Sequence, residues 1–355
     1  MSLKIGIVGL PNVGKSTLFN ALVKGSQAMA ANYPFCTIEP NIGIVEVPDE
    51  RLVKLAEIEK SQKIVPAVVE FVDIAGLVAG ASKGEGLGNK FLAAIRECDA
   101  IAQVVRFFED SNITHVTAKI NPEDDIVTIE TELQLADLAT VGKRLESIDK
   151  DIRTGDKSAP KIKEILTKIK SLLDSGKNAR LADLKEDDAK LIKELGLMTL
   201  KPMIYIANCS EEQLSTNHYP LSPDFIPISA KIESELNELD DEEKTEYLKE
   251  LGLDSSGLDR LIKKAYKTLG LISYLTAGIQ ETRAWTIHEG WSAPQAAGVI
   301  HGDFERGFIA AEVIKYQDFI DNAGWVGCRP KGLVKTQGKE YIMTDGDVVL
   351  FRFNV

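Results

Sequence analysis

A chain of 355 residues with 44% apolar content is too long for one ordinary core and points to two or three domains. Its formal net charge of −12 excludes attachment to nucleic acid through the global field, so an RNA contact needs a local basic patch and sequence-specific DNA binding is not expected. The four cysteines (Cys36, Cys98, Cys209, Cys328) are far apart with no Cys-x-x-Cys pair, the N-terminus enters a strand at once, and no apolar stretch reaches ~18–20 residues, which argues against zinc, disulfides, a signal peptide and a membrane span and for a cytoplasmic protein.

The first third of the chain alternates short apolar runs with helical patterns, the signature of a mainly parallel α/β sheet. The first predicted strand, Lys4–Val8, runs into Gly9-Leu-Pro-Asn-Val-Gly14-Lys15-Ser16 and then a helical run, Thr17–Leu22. That is a phosphate-binding P-loop in its strand–loop–helix setting. Its glycines let the backbone of Asn12, Val13, Gly14, Lys15, Ser16 and Thr17 wrap closely around phosphate oxygens, and the helix start aims its positive end at the same anion. Lys15 supplies a charge to the β- and γ-phosphates, and the Ser16 hydroxyl completes a Mg²⁺ shell. The ligand class is therefore a nucleoside triphosphate with Mg²⁺.

Asn32-Tyr-Pro-Phe-Cys-Thr37-Ile-Glu-Pro40 comes next, with Thr37 the natural candidate to close on Mg²⁺ and the γ-phosphate. After a second predicted strand, Ile42–Val47, a third, Val68–Asp73, ends in Asp73-Ile-Ala-Gly76. In a P-loop protein this Asp reaches the metal through water, and the Gly amide senses the γ-phosphate. Leu77 follows where Ras-like enzymes carry the glutamine that orients the attacking water. Leucine has no hydrogen-bonding group, so hydrolysis is very slow or another residue positions water. Gly80 to Gly88, with four glycines in nine residues, reads as a mobile switch loop.

The strand Ala100–Arg106 and the next, Met203–Ala207, are separated by an insertion. Within it Ile126, Ile129, Leu133, Leu138, Val141, Leu145, Ile148 and Ile152 mostly recur at helical spacing, and after Thr154-Gly155-Asp156 so do Ile162, Ile165, Leu166, Ile169, Leu172 and Leu173. Two long amphipathic helices and a polar turn make an antiparallel hairpin, most simply a mutual packing seam with charged outer faces.

The strand Met203–Ala207 leads to Asn208-Cys209-Ser210-Glu211. Guanine-specific domains carry Asn-Lys-x-Asp here, the Lys stem covering the ring and the Asp accepting from N1–H and N2–H₂. Both are replaced. Adenine offers N1 as an acceptor and lacks the 2-amino group, so a carboxylate in the Asp pose repels it. A redirected Glu211 removes that repulsion, while Asn208 and backbone groups can read N6–H₂ and N7. ATP is expected over GTP. After the strand Phe225–Ile228, Ser229-Ala230-Lys231 fits the loop whose backbone covers the base.

An acidic stretch (Glu235, Asp240, Asp241, Glu242, Glu243, Glu246) reads as a solvated helix. From about residue 270, alternating runs such as Arg283–Ile287, Phe308–Val313 and Val348–Phe353, with a turn at Thr344-Asp345-Gly346-Asp347, read as a small α+β domain. Arg329, Lys331, Lys335 and Lys339 form a basic strip that could meet RNA phosphates; Asp345 and Asp347 dilute it, and a solvated surface is the simpler reading.

Taken together, Gly9–Ser16, Asn32–Pro40, Phe71–Leu77, Gly80–Asn89, Asn208-x-x-Glu211 and the terminal Phe353-Asn-Val355 resemble the YchF subfamily of Obg-type P-loop NTPases, the Obg-like or ribosome-binding ATPases. The match runs almost end to end. The resemblance implies a discontinuous α/β G-domain (1–122 and 200–269), an inserted antiparallel helical coiled-coil domain (123–199) and a C-terminal α+β β-grasp module of TGS type (270–355). It implies ATP binding with GTP weaker, association with ribosomes, and a catalytic His in the loop after the fourth strand. Phe107-Phe-Glu-Asp-Ser-Asn-Ile-Thr-His115 aligns with that loop, so His115 and Lys15 are the catalytic candidates. Asn12 and Val13 to Thr17, Gly76, Asn208, Cys209, Glu211, Ser229 and Ala230 are the nucleotide contacts, and Ser16, Thr37 and Asp73 the metal set. Asn12 also raises K⁺ as a second ion, since some P-loop NTPases with Asn here bind it between phosphate oxygens; plain shaping of the loop accounts for Asn12 equally well. The leading reading is a slow Mg²⁺-dependent ATPase switch. A GTPase of the same fold and a ribosome-binding adaptor with incidental turnover are the alternatives.

Overall fold

The computed structural model describes residues 3–26, 41–74, 87–110, 120–216 and 225–354. Its strands are β1 (Lys4–Val8), β2 (Ile42–Glu46), β3 (Ile64–Val65), β4 (Val68–Asp73), β5 (Ala100–Arg106), β6 (Met203–Asn208), β7 (Phe225–Ile228), β8 (Leu271–Ala277), β9 (Thr282–His288), β10 (Phe308–Lys315), β11 (Lys335–Gln337) and β12 (Asp347–Phe353). The helices that matter below are α1 (Lys15–Ser26), α2 (Arg51–Glu59), α3 (Leu87–Glu97), α4 (Pro122–Arg153), α5 (Ala159–Asp174), α6 (Glu186–Leu191), α7 (Glu211–Thr216), α8 (Ala230–Leu236), α9 (Asp241–Glu250), α10 (Gly257–Thr268) and α11 (Ala293–Ile300). Among the described residues no helix is long and apolar enough to cross a membrane.

Two compact units result, Met1–Ile44 with Glu70–Arg260, and Val45–Val69 with Leu261–Val355. The first holds a sheet of order β2-β4-β1-β5-β6-β7. The pairs β1–β4, β1–β5, β5–β6 and β6–β7 are all parallel. Every residue of β5 is buried, as expected of a central strand covered on both faces. Four of the six strands in this sheet have the bounds read from the sequence. Of the others, β2 stops at Glu46, and β6 runs one residue further, to Asn208. Register sets the chemistry: Ile7 pairs with Asp73, and Arg106 with Asn208, which pairs in turn with Ile228. The carboxyl ends of the strands thus converge beside the loop that follows β1, where ligands of open α/β sheets sit.

The insertion forms α4 and α5, whose Val141, Ile148, Ile162, Ile165, Leu166 and Ile169 share one core. The segment after α5 closes that core with Ala179, Ala182, Ile192 and Leu197. Ile126, read as part of the seam, packs instead beside Val105, Phe107 and Ala207, so the foot of α4 is seated on the sheet. Buried Asp137 of α4 accepts from the Met198 N–H (3.0 Å) and from the Thr199 N–H and hydroxyl (2.7 and 2.6 Å), pinning the return of the chain to the sheet.

In the second unit the sheet order is β11-β10-β12-β8-β9-β3, mixed in direction. Antiparallel pairs join β10 to β11 and β12, and β8 to β9; β12–β8 and β3–β9 are parallel. Ala293, Ala296 and Ala297 of α11 pack with Tyr274, Phe308, Ala311 and Phe351. The sequence reading kept residues 45–69 with the first α/β domain; they fold with the C-terminal segment. Leu52 and Leu55 of α2 are buried, and β3 adds a strand beside β9. Arg51 donates to Asp49 (2.8 Å) and to Asp345 (2.7 Å). Asp347 is fully buried, accepting from Lys315, Tyr341 and Thr344, so neither turn carboxylate is a simple surface charge.

The acidic helix is α9, started by a capping box of Asp240 and Glu243. Beside it on α8, Glu233 is 4% exposed and accepts from the Gly257 N–H at 2.7 Å at the start of α10. Burial pushes its carboxyl up to about 7 from 4.5. The folded chain therefore binds more protons than the unfolded chain between those values. Stability falls as pH rises through that window and stays reduced above it. Glu233→Gln keeps an acceptor for Gly257 and removes the charge. Its melting temperature relative to the parent should rise between pH 5 and pH 8, by the equivalent of ~2–3 kcal/mol; a difference independent of pH contradicts this account.

Candidate functional site

Between β1 and α1 the chain turns so tightly that side chains are excluded at two glycines. A Cβ on Gly9 would lie 2.6 Å from the Val104 carbonyl oxygen, and one on Gly14 (φ +94°) would collide with the Asn208 amide. Asn12 lies in the left-handed region at φ 62°, which asparagine tolerates better than most residues, and it lines the cleft. Leu18 is the first α1 residue whose N–H closes a helical turn, onto Gly14 (3.0 Å). The amides of Lys15, Ser16 and Thr17 precede it and have no carbonyl within the helix. They form an anion seat.

The Lys15 side chain folds back over the loop, 8% exposed, and its ammonium donates to the Leu10 carbonyl at 2.8 Å. Burial lowers its pKa, and nearby Asp73 opposes that. Incoming phosphate favours the charged form. The Ser16 hydroxyl donates to Asp73 Oδ2 at 3.2 Å. The other oxygen, Asp73 Oδ1, is buried with no hydrogen-bond partner among the described residues. A hydroxyl and a carboxylate oxygen needing a partner make an all-oxygen set that fits Mg²⁺, an ion that takes few protein ligands and keeps waters and phosphates for the rest. Thr37, Gly76 and His115 lie outside the described residues.

At the other end of the site the Asn208 side chain joins two loops. Its Nδ2 donates to the Val13 carbonyl (2.9 Å) and its Oδ1 accepts from the Ala230 N–H (3.0 Å). An amide group has two N–H bonds and two lone pairs, so one of each remains. Val13 is 1% exposed with its carbonyl engaged, so its amide alone is left to meet a ligand. Ala230 likewise has its N–H engaged, and the Ser229 hydroxyl accepts from Ile232 N–H at 3.4 Å as the α8 cap. Both residues shape the loop and line the cleft, as Lys231 does; of that tripeptide it is Lys231 whose side chain is exposed.

Cys209 is 2% exposed and packs with Phe107, Leu214 and Ile232. Burial raises its thiol to about 12, and its N–H is donated to the Ile228 carbonyl. It forms wall, with no polar side-chain contact to offer. Glu211 is the exposed first residue of α7. Ser210 and Gln213 cap that helix reciprocally, the Ser210 N–H donating to Gln213 Oε1 (2.8 Å) and the Gln213 N–H to Ser210 Oγ (3.3 Å). The Ser-x-x-Gln spacing announces this cap, and the sequence reading passed over it.

A further wall, Phe108, Glu109 and Asp110, was also missed. These residues line, with Lys15, Ser16, Asn208 and Glu211, a cleft of about 740 Å³. The N–H groups of Phe107 and Phe108 both donate to the Asn208 carbonyl (2.9 and 3.2 Å). Arg106, 1% exposed, donates from Nε to the Phe108 carbonyl at 3.1 Å. The signal was an arginine closing the apolar run Ala100–Val105. The cleft has the size of a small-molecule site, with its cation, hydroxyl and free amides at the P-loop end.

Known proteins resemble this chain over its whole length. Residues 4–134 match the family model for 50S ribosome-binding GTPases, and residues 271–354 match YchF-GTPase_C, a family described as of unknown function. The chain is 53% identical over 367 residues to the ribosome-binding ATPase YchF of Bacillus subtilis and 51% identical over 364 residues to that of Escherichia coli O157:H7, with 100% of each chain covered in both cases. Among solved structures, the YchF GTPase of Schizosaccharomyces pombe superposes with a TM-score of 0.89 at 40% identity, covering 99% of this chain and 98% of that one.

Asn208→Ala would leave the Val13 carbonyl and the Ala230 N–H without partners. The ligand-free variant should lose ~2–6 kcal/mol in denaturant unfolding, at ~1–3 kcal/mol for each of the two buried groups left unpaired. A loss below ~0.5 kcal/mol, the usual range for surface substitutions, shows that the amide does not clasp the loops.

Proposed function

The chain belongs to the YchF family, and on that premise we propose that it is a Mg²⁺-dependent P-loop NTPase that binds and slowly hydrolyses ATP, and GTP less well, to ADP and phosphate, as a nucleotide-controlled switch that associates with ribosomes in the cytoplasm. Lys15 and the first-turn amides of α1 hold the phosphates. Ser16 and Asp73, with Thr37, would hold the metal. When bound, the ion supplies charge neutralisation along the phosphates. His115 orients the attacking water in place of the glutamine that Leu77 replaces, and Gly76 with Thr37 senses the γ-phosphate.

The observation that carries the ATP preference is the free half of the Asn208 amide. With one N–H bond and one lone pair still unused, it matches adenine, whose N7 accepts and whose N6–H₂ donates. A guanine clamp needs a lysine stem over the ring, and the corresponding residue here is the buried Cys209. Glu211 sits on α7, started by its own cap, and not on a loop aimed at guanine N1 and N2. We assign α4 and α5 to an inserted coiled-coil domain and the β8–β12 sheet with α11 to a TGS-type β-grasp domain. The apolar seam of the two helices and the mixed sheet packed on α11 support this. Both domains would present the partner-binding surface.

Calorimetry with non-hydrolysable ATP and GTP analogues in magnesium buffer should give a Kd for ATP about tenfold or more below that for GTP; equal or reversed affinities overturn the base assignment. His115→Ala should cut turnover by ~10²-fold or more while leaving the Kd for the ATP analogue within about twofold. Undiminished turnover removes His115 from the mechanism.

A further inference from the structure

A guanidinium is always charged, and burying one is costly unless its N–H groups are matched. Arg106 is 1% exposed at the carboxyl end of the central strand β5, in register with Asn208. Its side chain turns onto the segment that follows it. Nε donates to the Phe108 carbonyl (3.1 Å) and Nη2 to the Asp110 carbonyl (3.2 Å). The guanidinium carbon lies 4.5 Å from the centre of the Phe108 ring. One planar group thus grips alternate carbonyls and one ring face of a three-residue stretch, with the directional hold that a lysine cannot reproduce.

That stretch is the cleft wall. Phe108, Glu109 and Asp110 face the same space as the P-loop and the Asn208 loop. The near end of the wall is tied independently, through the Asn208 carbonyl and through Gln213 Nε2 donating to the Phe107 carbonyl (3.2 Å). Arg106 holds the far end. The described contacts of the phosphate seat come from other elements: Lys15, Ser16 and Asp73 are organised by β1, α1 and β4.

We propose that Arg106 is a positioning residue for the nucleoside half of the ligand, holding Phe108 to Asp110 against the purine and ribose while leaving the triphosphate seat untouched. This rests on the reading of the cleft as a nucleoside triphosphate site. Its distinguishing consequence is a split in affinity. Arg106→Met, which keeps an unbranched apolar stem and removes the donors, should weaken binding of a non-hydrolysable ATP analogue by about tenfold or more, because a displaced wall forfeits its contacts. Binding of magnesium tripolyphosphate, which has no nucleoside, should stay within about twofold.

Arg106→Lys keeps the charge and some donor capacity, so it should fall between parent and Met variant and serve if the latter does not fold. Calorimetry reads both ligands on each protein, with thermal melting as the check on folding. Equal weakening of both ligands, or of neither, overturns the positioning role and leaves the functional reading standing. A parent chain that takes up tripolyphosphate as tightly as the ATP analogue overturns it too, since the wall then adds nothing. A parent that takes up neither ligand sinks the functional reading and this inference with it.

Discussion

The site depends on one buried amide. Asn208 stands at the end of β6, 5% exposed, and its side chain ties the Val13 carbonyl of the P-loop to the Ala230 N–H of the loop after β7. Its backbone carbonyl receives the Phe107 and Phe108 N–H groups. Three loops from three strands are therefore held by one residue. A buried amide with both ends engaged is costly to disturb, so their relative positions are set before any ligand arrives. Gly14 is the other half of the constraint. It passes so close to that amide that no side chain fits.

The same economy governs the connection between β2 and β4. These strands are neighbours in the first sheet, yet the chain between them is no tight hairpin. It leaves to form α2 and β3 in the second unit and returns to end at Asp73. The anchors are specific. The Lys63 carbonyl accepts from Thr282 N–H (2.9 Å), Ser61 shares a 2.7 Å hydrogen bond with the Thr282 hydroxyl, and Arg51 bridges Asp49 and Asp345. β3 is only two residues long, which no alternation pattern can register. It exists because β9 offers an edge and Ser61 and Lys63 fix the register, information that resides in residues more than two hundred positions away.

This marks where the sequence was readable. Parallel strands inside an α/β sheet are short, largely apolar runs punctuated by glycine and polar turns, so β1, β4, β5 and β7 could be bounded to the residue. The P-loop is local backbone chemistry, and Lys15, Ser16 and Asp73 come together as their spacing implies. The far end of the cleft is built from tertiary contacts, and there residue names alone say less: Cys209, Ser229 and Ala230 do line the cleft, but through packing and loop geometry. Ser229 and Ala230 shape a loop, Cys209 belongs to a core, and the wall at Phe108 owes its position to Arg106. Likewise Asp345 and Asp347 read as charges on a surface strip, and their partners Arg51 and Lys315 are distant in sequence. The Ser210–Gln213 cap was legible, being a spacing rule, and was missed by attending only to the base.

The burial of Cys209 also explains why base choice here cannot be reduced to a tetrapeptide. Restoring lysine at that position would place an ammonium among Val105, Phe107, Ala207, Leu214, Ile232 and Leu236, an apolar cluster that offers it no carboxylate. An ammonium held there would be costly, so the stem would have to run out toward the cleft that Cys209 lines. The thiol that replaces it fills the space at no electrostatic cost. A single back-substitution changes the core and the recognition surface together. The polar groups at that end of the cleft are the unused half of the Asn208 amide, Glu211 at the start of α7, and the exposed Lys231, and on the proposed function these are the ones left to read a base.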